Sequence, residues 1–280
     1  MGNVTKAWTF LAVSSLTLIV LGHTFGGREG LMIALVFVLS VNSYIYFYED
    51  RRVLSLFPGQ MLQGQDPYGV SEIARRLSVK ARIANPKVVI LSESAPQAAV
   101  VGRSFTHGTL ILTEGLIRKF TPDELEAVIA YQMASIRTLN TLAFAVGSFL
   151  ATTGLLVTGA LDMFLRFLIV ERKNNRTYVS QLFTRTASPF ISFILRLSVR
   201  SSFYLTADRL AASLIRDPRN LATALWKLDS YATTTPMPAP LSAAHVFIVS
   251  PLTLNRWTRQ YATQPQTARR IQRLIGYYPV

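Results

Sequence analysis

The chain has no cysteine, only three histidines, and fifteen acidic residues among 280. Absence of cysteine rules out disulfides, a thiolate nucleophile and cysteine-held metal. The histidines, His23, His107 and His245, stand far apart in sequence and none is at ligand spacing from another. Nor is there a Gly-x-Ser-x-Gly elbow or a Ser-x-x-Lys pattern, so serine catalysis has no signature to rest on. The shortage of acids leaves a net charge of +14. No internal repeat is evident.

What the sequence has instead is apolar length. Half of the residues are hydrophobic and the mean hydropathy is +0.30, which points to an integral membrane protein. Trp8 to Gly26 and Leu31 to Tyr48 are each long enough to cross a hydrocarbon core, and a short turn through Gly27, Arg28, Glu29 and Gly30 makes them a hairpin. The second run ends in Tyr44, Tyr46, Phe47 and Tyr48, residues suited to an interfacial belt. A cleaved signal peptide fits less well, because the first run is preceded only by Lys6 and followed at once by another span. Arg51, Arg52, Arg75, Arg76, Lys80, Arg82 and Lys87 then place the following domain, and with it the N-terminus, in the cytoplasm. Basic residues are scattered and flank apolar segments without a nucleic-acid module; the expected partner is therefore the lipid bilayer and not nucleic acid.

Residues 53–65, with Pro58, Gly59 and Gly64, read as a linker, and Asp66-Pro67 opens a helix to about Arg82. Lys87–Leu91 and Thr109–Thr113 are short β runs, joined through a loop at Pro96–Arg103. From Leu139 to Val170 the chain is apolar for more than thirty residues, too long for one simple span and too short for two. Gly154 and Gly159 are candidate bends. A full crossing would put the basic stretch Glu171–Arg185 on the wrong side, so a re-entrant hairpin stands beside a third span. Pro189 to Leu205, carrying Arg196 and Arg200, either spans with a snorkelling end or lies in the interface. Helices are expected at 200–215, 218–231 and 266–275, and a proline-bound loop at 233–240.

One stretch organises the rest, TPDELEAVIAYQMASIRTLN at 121–140. Thr121 can N-cap, Pro122 suits the first helical position and Glu124 completes a capping box. Leu125, Val128, Ile129, Met133 and Ile136 give a buried face. In a His-Glu-x-x-His helix two imidazoles one turn apart hold zinc and the Glu takes a proton from its water. Those places here hold Tyr131, Gln132 and Ser135.

DELEAVIAYQMASI resembles the DELEAVLAHELAHI segment of the HtpX-type membrane zinc metallopeptidases, relatives of the CAAX prenyl proteases. PQAAVVGR at 96–103, LTEGLI at 112–117, TADRLAA at 206–212, the Asp217–Leu228 helix, AAHVFIVSPL at 243–252 and YATQPQTARRIQRL at 261–274 are similar to further segments of that family. Position by position, the resemblance puts the zinc-binding histidines at Tyr131 and Ser135, the general base at Gln132 and the third ligand at Tyr204. Gln264 stands for a further histidine, and Asp208 keeps the place of a residue that orients a ligand. The family's substrate cleft would lie along Gln97, Ala98, Ala99, Val100, Gly102 and Arg103, with His245 and Gln264 nearby.

The resemblance implies a mainly α fold with a small β-sheet, a zincin-like peptidase domain in a multi-pass membrane protein, in a bacterium the inner membrane. Its divisions would be an N-terminal hairpin at 1–52, the first part of the peptidase-like domain at 53–138, membrane or re-entrant segments at 139–205 and the second part at 206–280. Neutral phenol, amide and hydroxyl groups cannot supply the family's chemistry, so no cofactor is expected. With only Asp208 and Glu126 nearby, a zinc ion would have too few ligands. Tyr131 and Tyr204 are expected to fill the space of the metal and its ligands. The expected function is that of a pseudopeptidase that binds, scaffolds or regulates membrane-protein clients or an active protease. Zinc endoproteolysis with non-standard ligands is the alternative.

Overall fold

The computed structural model describes residues 3–62, 66–169, 181–252 and 256–277. Helix α1 (Asn3–Phe47) is broken at Gly27, whose φ of 55° is open to glycine at no steric cost. Its halves fold back on each other as the sequence predicts. Asn42 Nδ2 donates to Ser15 Oγ across the hairpin at 3.0 Å. Near the turn the two backbones touch: a Cβ on Gly30 would collide with the Gly22 carbonyl. Leucine, valine and phenylalanine side chains stand exposed along both halves, among them Leu16, Val20, Phe25, Ile33 and Leu39. An apolar surface this extensive is uncommon in water and is what lipid covers.

Residues 53–65 are more ordered than a linker. Helix α2 (Glu49–Ser55) runs into them, and β1 (Gln60–Met61) pairs antiparallel with β2 (Lys87–Leu91). Helix α3 (Val70–Ala81) starts later than Asp66-Pro67 suggests, because the Asp66 carboxylate accepts from Tyr68 N and Ser71 N and holds a turn before the helix. The expected loop at Pro96–Arg103 is mostly strand: β3 (Ala98–Ser104) turns back into β4 (His107–Thr113). The sheet has the order β1-β2-β4-β3, with β2 and β4 parallel and the outer pairs antiparallel.

After the short α4 (Glu114–Lys119), helix α5 (Pro122–Arg137) begins with the predicted capping box, Thr121 and Glu124 bonding each other's backbone N–H groups. The five apolar positions are buried, but so are Tyr131, Gln132 and Ser135. The helix is sunk into the domain on both sides, with β3 against one face and α8 (Ser201–Leu214) against another. Glu126 escapes this burial; it pairs with Arg76 at 3.0 Å, away from the polar positions.

Helix α6 (Asn140–Ile169) runs through Gly154 and Gly159 without a break in its assignment. Its first half is buried, and its second half exposes Leu156, Met163, Phe164 and Phe167. Two stretches, Trp8–Phe47 and Asn140–Phe167, are long and apolar enough to cross a membrane. Helix α7 (Leu182–Ser198) returns antiparallel to α6: Asp162 caps its start through Phe183 N and Thr184 N, and Gly154 admits Ile191. The other side of α7 is held by protein, with Ser188 bonded to Tyr261 and Arg196 to the Gln260 carbonyl. Most of the basic stretch 171–185 lies outside the described residues. The chain ends with α8 (Ser201–Leu214), α9 (Pro218–Thr234), a 3-10 turn (Ala244–Val246), α10 (Arg256–Arg259) and α11 (Thr267–Ile275).

The close approach in α1 gives a direct check. Gly30→Leu should destabilise the detergent-solubilised protein by about 1–3 kcal/mol through overpacking, whereas Gly26→Ala, with no atom within 4 Å of its Cβ, should change little. Thermal unfolding of the two variants beside the parent measures the difference.

Candidate functional site

Three elements converge on the polar positions of α5. Helix α8 brings Tyr204 and Asp208 one turn apart, α11 brings Arg270, and the segment 244–249 closes the end. All of these side chains are buried.

Arg270 is the centre. Its Nε and Nη2 donate to the two oxygens of Asp208 at 2.9 and 2.7 Å, and Nη1 donates to the Ile248 carbonyl at 2.6 Å. Its guanidinium carbon lies 5.0 Å from the centre of the Tyr131 ring. Each of its three nitrogens thus donates, two of them to one carboxylate, with an aromatic face beside the planar cation. Burial works against its charge, but Asp208, Tyr131 and Tyr204 together more than offset that and raise its pKa.

Tyr204 donates to the His245 carbonyl at 2.7 Å and lies 2.8 Å from Thr263 Oγ1. Gln264, in the place of a family histidine, donates its amide to the carbonyls of Ala244 and Phe247 at 2.9 and 3.1 Å. These two residues therefore stitch the C-terminal segment to the 3-10 turn. The imidazole of His245 is engaged at one nitrogen, with Nε2–H donating to the Phe144 carbonyl of α6 at 2.7 Å. The Phe144 ring sits between Tyr204 and His245, 5.5 and 5.9 Å from their centroids.

The proposed cleft positions are not open. Gln97, Ala98, Ala99 and Val100 are buried, and the outer edge of β3 is covered by the chain itself. Ala99 bridges antiparallel to Phe247, and Ile248 N donates to the Ala98 carbonyl at 3.1 Å. Gly102 is also buried, while Arg103 is half-exposed at the far end of the strand. Gln264, Thr263 and Arg270 instead border an open groove of about 880 Å³, with Ser201, Asp229 and Arg259 on its walls.

Zinc does not fit these residues. Burial pushes the Tyr131 and Tyr204 phenols well above their ordinary range, so neither is ready to become a phenolate. The Tyr131 hydroxyl leans on Ser135 and Arg270 without a hydrogen bond of full geometry, and Ser135 Oγ and Gln132 Nε2 also lack partners. Neutral oxygens beside a guanidinium are a poor setting for a dication, since the two cations would repel. Among the described residues no three His, Cys, Asp or Glu side chains cluster at metal-binding distance. Gln132 has no basic atom with which to accept a proton from water.

Arg270, Thr263 and Phe144 are the residues that sequence reasoning did not single out. For Arg270 a signal existed. It falls with Thr267, Ile271 and Leu274 on the inward stripe of α11, and a cation there requires a buried acid, which Asp208 supplies.

A description of peptidase family M48 matches residues 66–277. The chain is 28% identical over 275 residues to the Protease HtpX homolog of Pelotomaculum thermopropionicum, covering 97% of this chain and 98% of that protein. It is 30% identical over 279 residues to the Protease HtpX homolog of Syntrophobacter fumaroxidans, covering 98% and 99%. Among solved structures it is similar to S. mikatae Ste24p, with a TM-score of 0.49 and 18% identity, covering 97% of this chain and 65% of that one.

Two stability measurements follow from this geometry. Asp208→Asn leaves a buried guanidinium without its counter-charge and should cost about 3–5 kcal/mol. The paired change Asp208→Leu with Arg270→Met should cost clearly less, as read by chemical denaturation. Burial lowers the His245 pKa from 6.5 to about 4. Between those values the unfolded chain takes up a proton that the folded chain refuses. Stability from this residue is therefore complete above about pH 6.5 and falls by about 3 kcal/mol as the pH drops to 4. His245→Gln should remove that part of the pH dependence.

Proposed function

The chain belongs to peptidase family M48, and from that membership we propose that it is a membrane-anchored pseudopeptidase, which binds membrane-protein clients or a partner protease without cleaving peptide bonds. The observation that carries this reading is the occupation of the catalytic centre by Tyr131, Gln132, Ser135 and Tyr204, with Arg270 held on Asp208 beside them. Peptide hydrolysis by a zinc enzyme needs a Lewis acid, a deprotonated water and a base to make it. The four side chains supply neither the ligands nor the base.

The replacements fill volume with two rings, Tyr131 facing the Arg270 guanidinium and Tyr204 packed on Phe144, and Tyr204 and Gln264 spend polar atoms on backbone carbonyls. What remains for function is surface. The groove bordered by Gln264 and Arg259 is the accessible concavity at this centre, and it suits an extended polar segment of a client. The apolar helices α1 and α6 support a setting in the membrane, the two crossing as spans and α7 lying against the domain. On this reading the domain faces the cytoplasm, as the arginines after α1 suggest. A role in membrane-protein quality control would follow from clients of that kind.

The test is an assay of the purified chain on an unfolded reporter with and without a chelator, together with metal analysis. Neither cleavage nor stoichiometric zinc is expected. Chelator-sensitive cleavage that disappears on changing Tyr131 or Tyr204 would sink the proposal in favour of an active endopeptidase with unusual ligands. A converse experiment asks whether the scaffold still positions the site: the combined variant Tyr131→His, Gln132→Glu, Ser135→His and Tyr204→Glu should acquire zinc.

A further inference from the structure

The turn between β3 and β4 is placed where α1 ends. Arg103, the penultimate residue of β3, donates from Nη1 to the Phe47 carbonyl at 3.2 Å, at the C-terminus of α1, and its guanidinium lies 5.7 Å from the Phe47 ring centre. A cation on the last carbonyls of a helix is well placed electrostatically. Phe47 in turn stands edge-on to Tyr46 at 5.0 Å. The aromatic cluster that ends α1, residues 44–48, thus continues directly into the turn.

Across the turn, Phe105 is exposed, and Arg137 at the end of α5 lies over its ring at 5.2 Å. A single exposed phenylalanine needs no explanation. This one has a location that does: two residues after Arg137 comes Leu139, with a φ of 52°, and then the start of α6. Leu142 of α6 lines the same apolar groove as Trp8, Ile45 and Tyr46. The turn therefore sits between the points where the two long apolar helices leave the domain. Neither Arg103 nor Arg137 forms a salt bridge among the described residues. Two arginines without carboxylates, an exposed aromatic ring and an adjoining tyrosine belt are the chemistry of an anionic membrane surface.

We infer that the Ser104–His107 turn is a second contact with the bilayer, in which Arg103 and Arg137 take anionic phospholipid headgroups and Phe105 enters the interface. The inference rests on the membrane setting of α1. It gives β3 a defined place: the strand that flanks the degenerate centre has its outer end at the lipid surface.

Because the chain has no cysteine, a single introduced thiol can be labelled uniquely. The full-length protein, reconstituted in vesicles with and without phosphatidylglycerol, is labelled with an environment-sensitive fluorophore at Thr106→Cys, at Leu16→Cys in α1 and at Ser230→Cys in α9. Quenching by lipids spin-labelled near the headgroup is then read. Strong quenching is expected at 106 and little at 230. In phosphatidylglycerol vesicles Arg103→Gln with Arg137→Gln should weaken the quenching at 106 by roughly twofold or more. Quenching at 16 by lipids labelled in the acyl chain, with the probe at 106 no more quenched than that at 230, overturns this inference and leaves the membrane setting intact. Absence of quenching at 16 overturns both. Equal quenching at 106 with and without the two arginines removes the headgroup assignment.

Discussion

The ion pair between Asp208 and Arg270 is the constraint that the rest of the domain is arranged to satisfy. Two charges removed from water are costly unless every donor and lone pair is placed, and here the guanidinium divides its donors between a carboxylate and the Ile248 carbonyl. Meeting those demands fixes α8 against α11 and ties both to the segment 244–249. Tyr131 of α5 supplies the remaining face of the cation. The centre of a protease scaffold is thereby held together by an internal salt bridge and aromatic packing.

Much of this organisation was legible in the residues. The capping box at Thr121 and Glu124, the break at Gly27 and the strands at 87–91 and 109–113 are local signals, and local physics decides them. Tyr131, Gln132 and Ser135 were singled out only through comparison of spacing with a known motif. Tertiary effects were not legible. Residues 96–103 read as a loop between two β runs, yet pairing with β4 makes 98–104 a strand. Arg270 looked like one basic residue among many until α11 was seen to turn it inward. The start of α3 moved because Asp66 bonds the backbone ahead of it, a competition that a capping rule alone does not resolve.

Helix α6 links the two halves of the protein. Its buried first half carries Phe144, whose ring rests between Tyr204 and His245 and whose carbonyl accepts from the imidazole. Its second half presents Phe164 and Phe167 outward. Asp162, which in an apolar run invites a functional reading, is accounted for by the start of α7: it caps two backbone N–H groups and accepts from the Thr184 hydroxyl. The buried polar centre and the apolar belt are thus ends of one helix, and neither can be repacked without the other feeling it.

A small sheet in a crowded membrane environment is exposed to a hazard unrelated to chemistry. An unpaired strand edge templates association with any extended chain nearby. One margin of this sheet is β1, only two residues long, and the other is sealed where Phe247 bridges Ala99. The first margin is too short to template a neighbour, and at Ala98 and Ala99 of the second the partner is already the chain itself. Self-association of the folded protein through strand addition is thereby discouraged, and contacts between copies are left to helices and side chains.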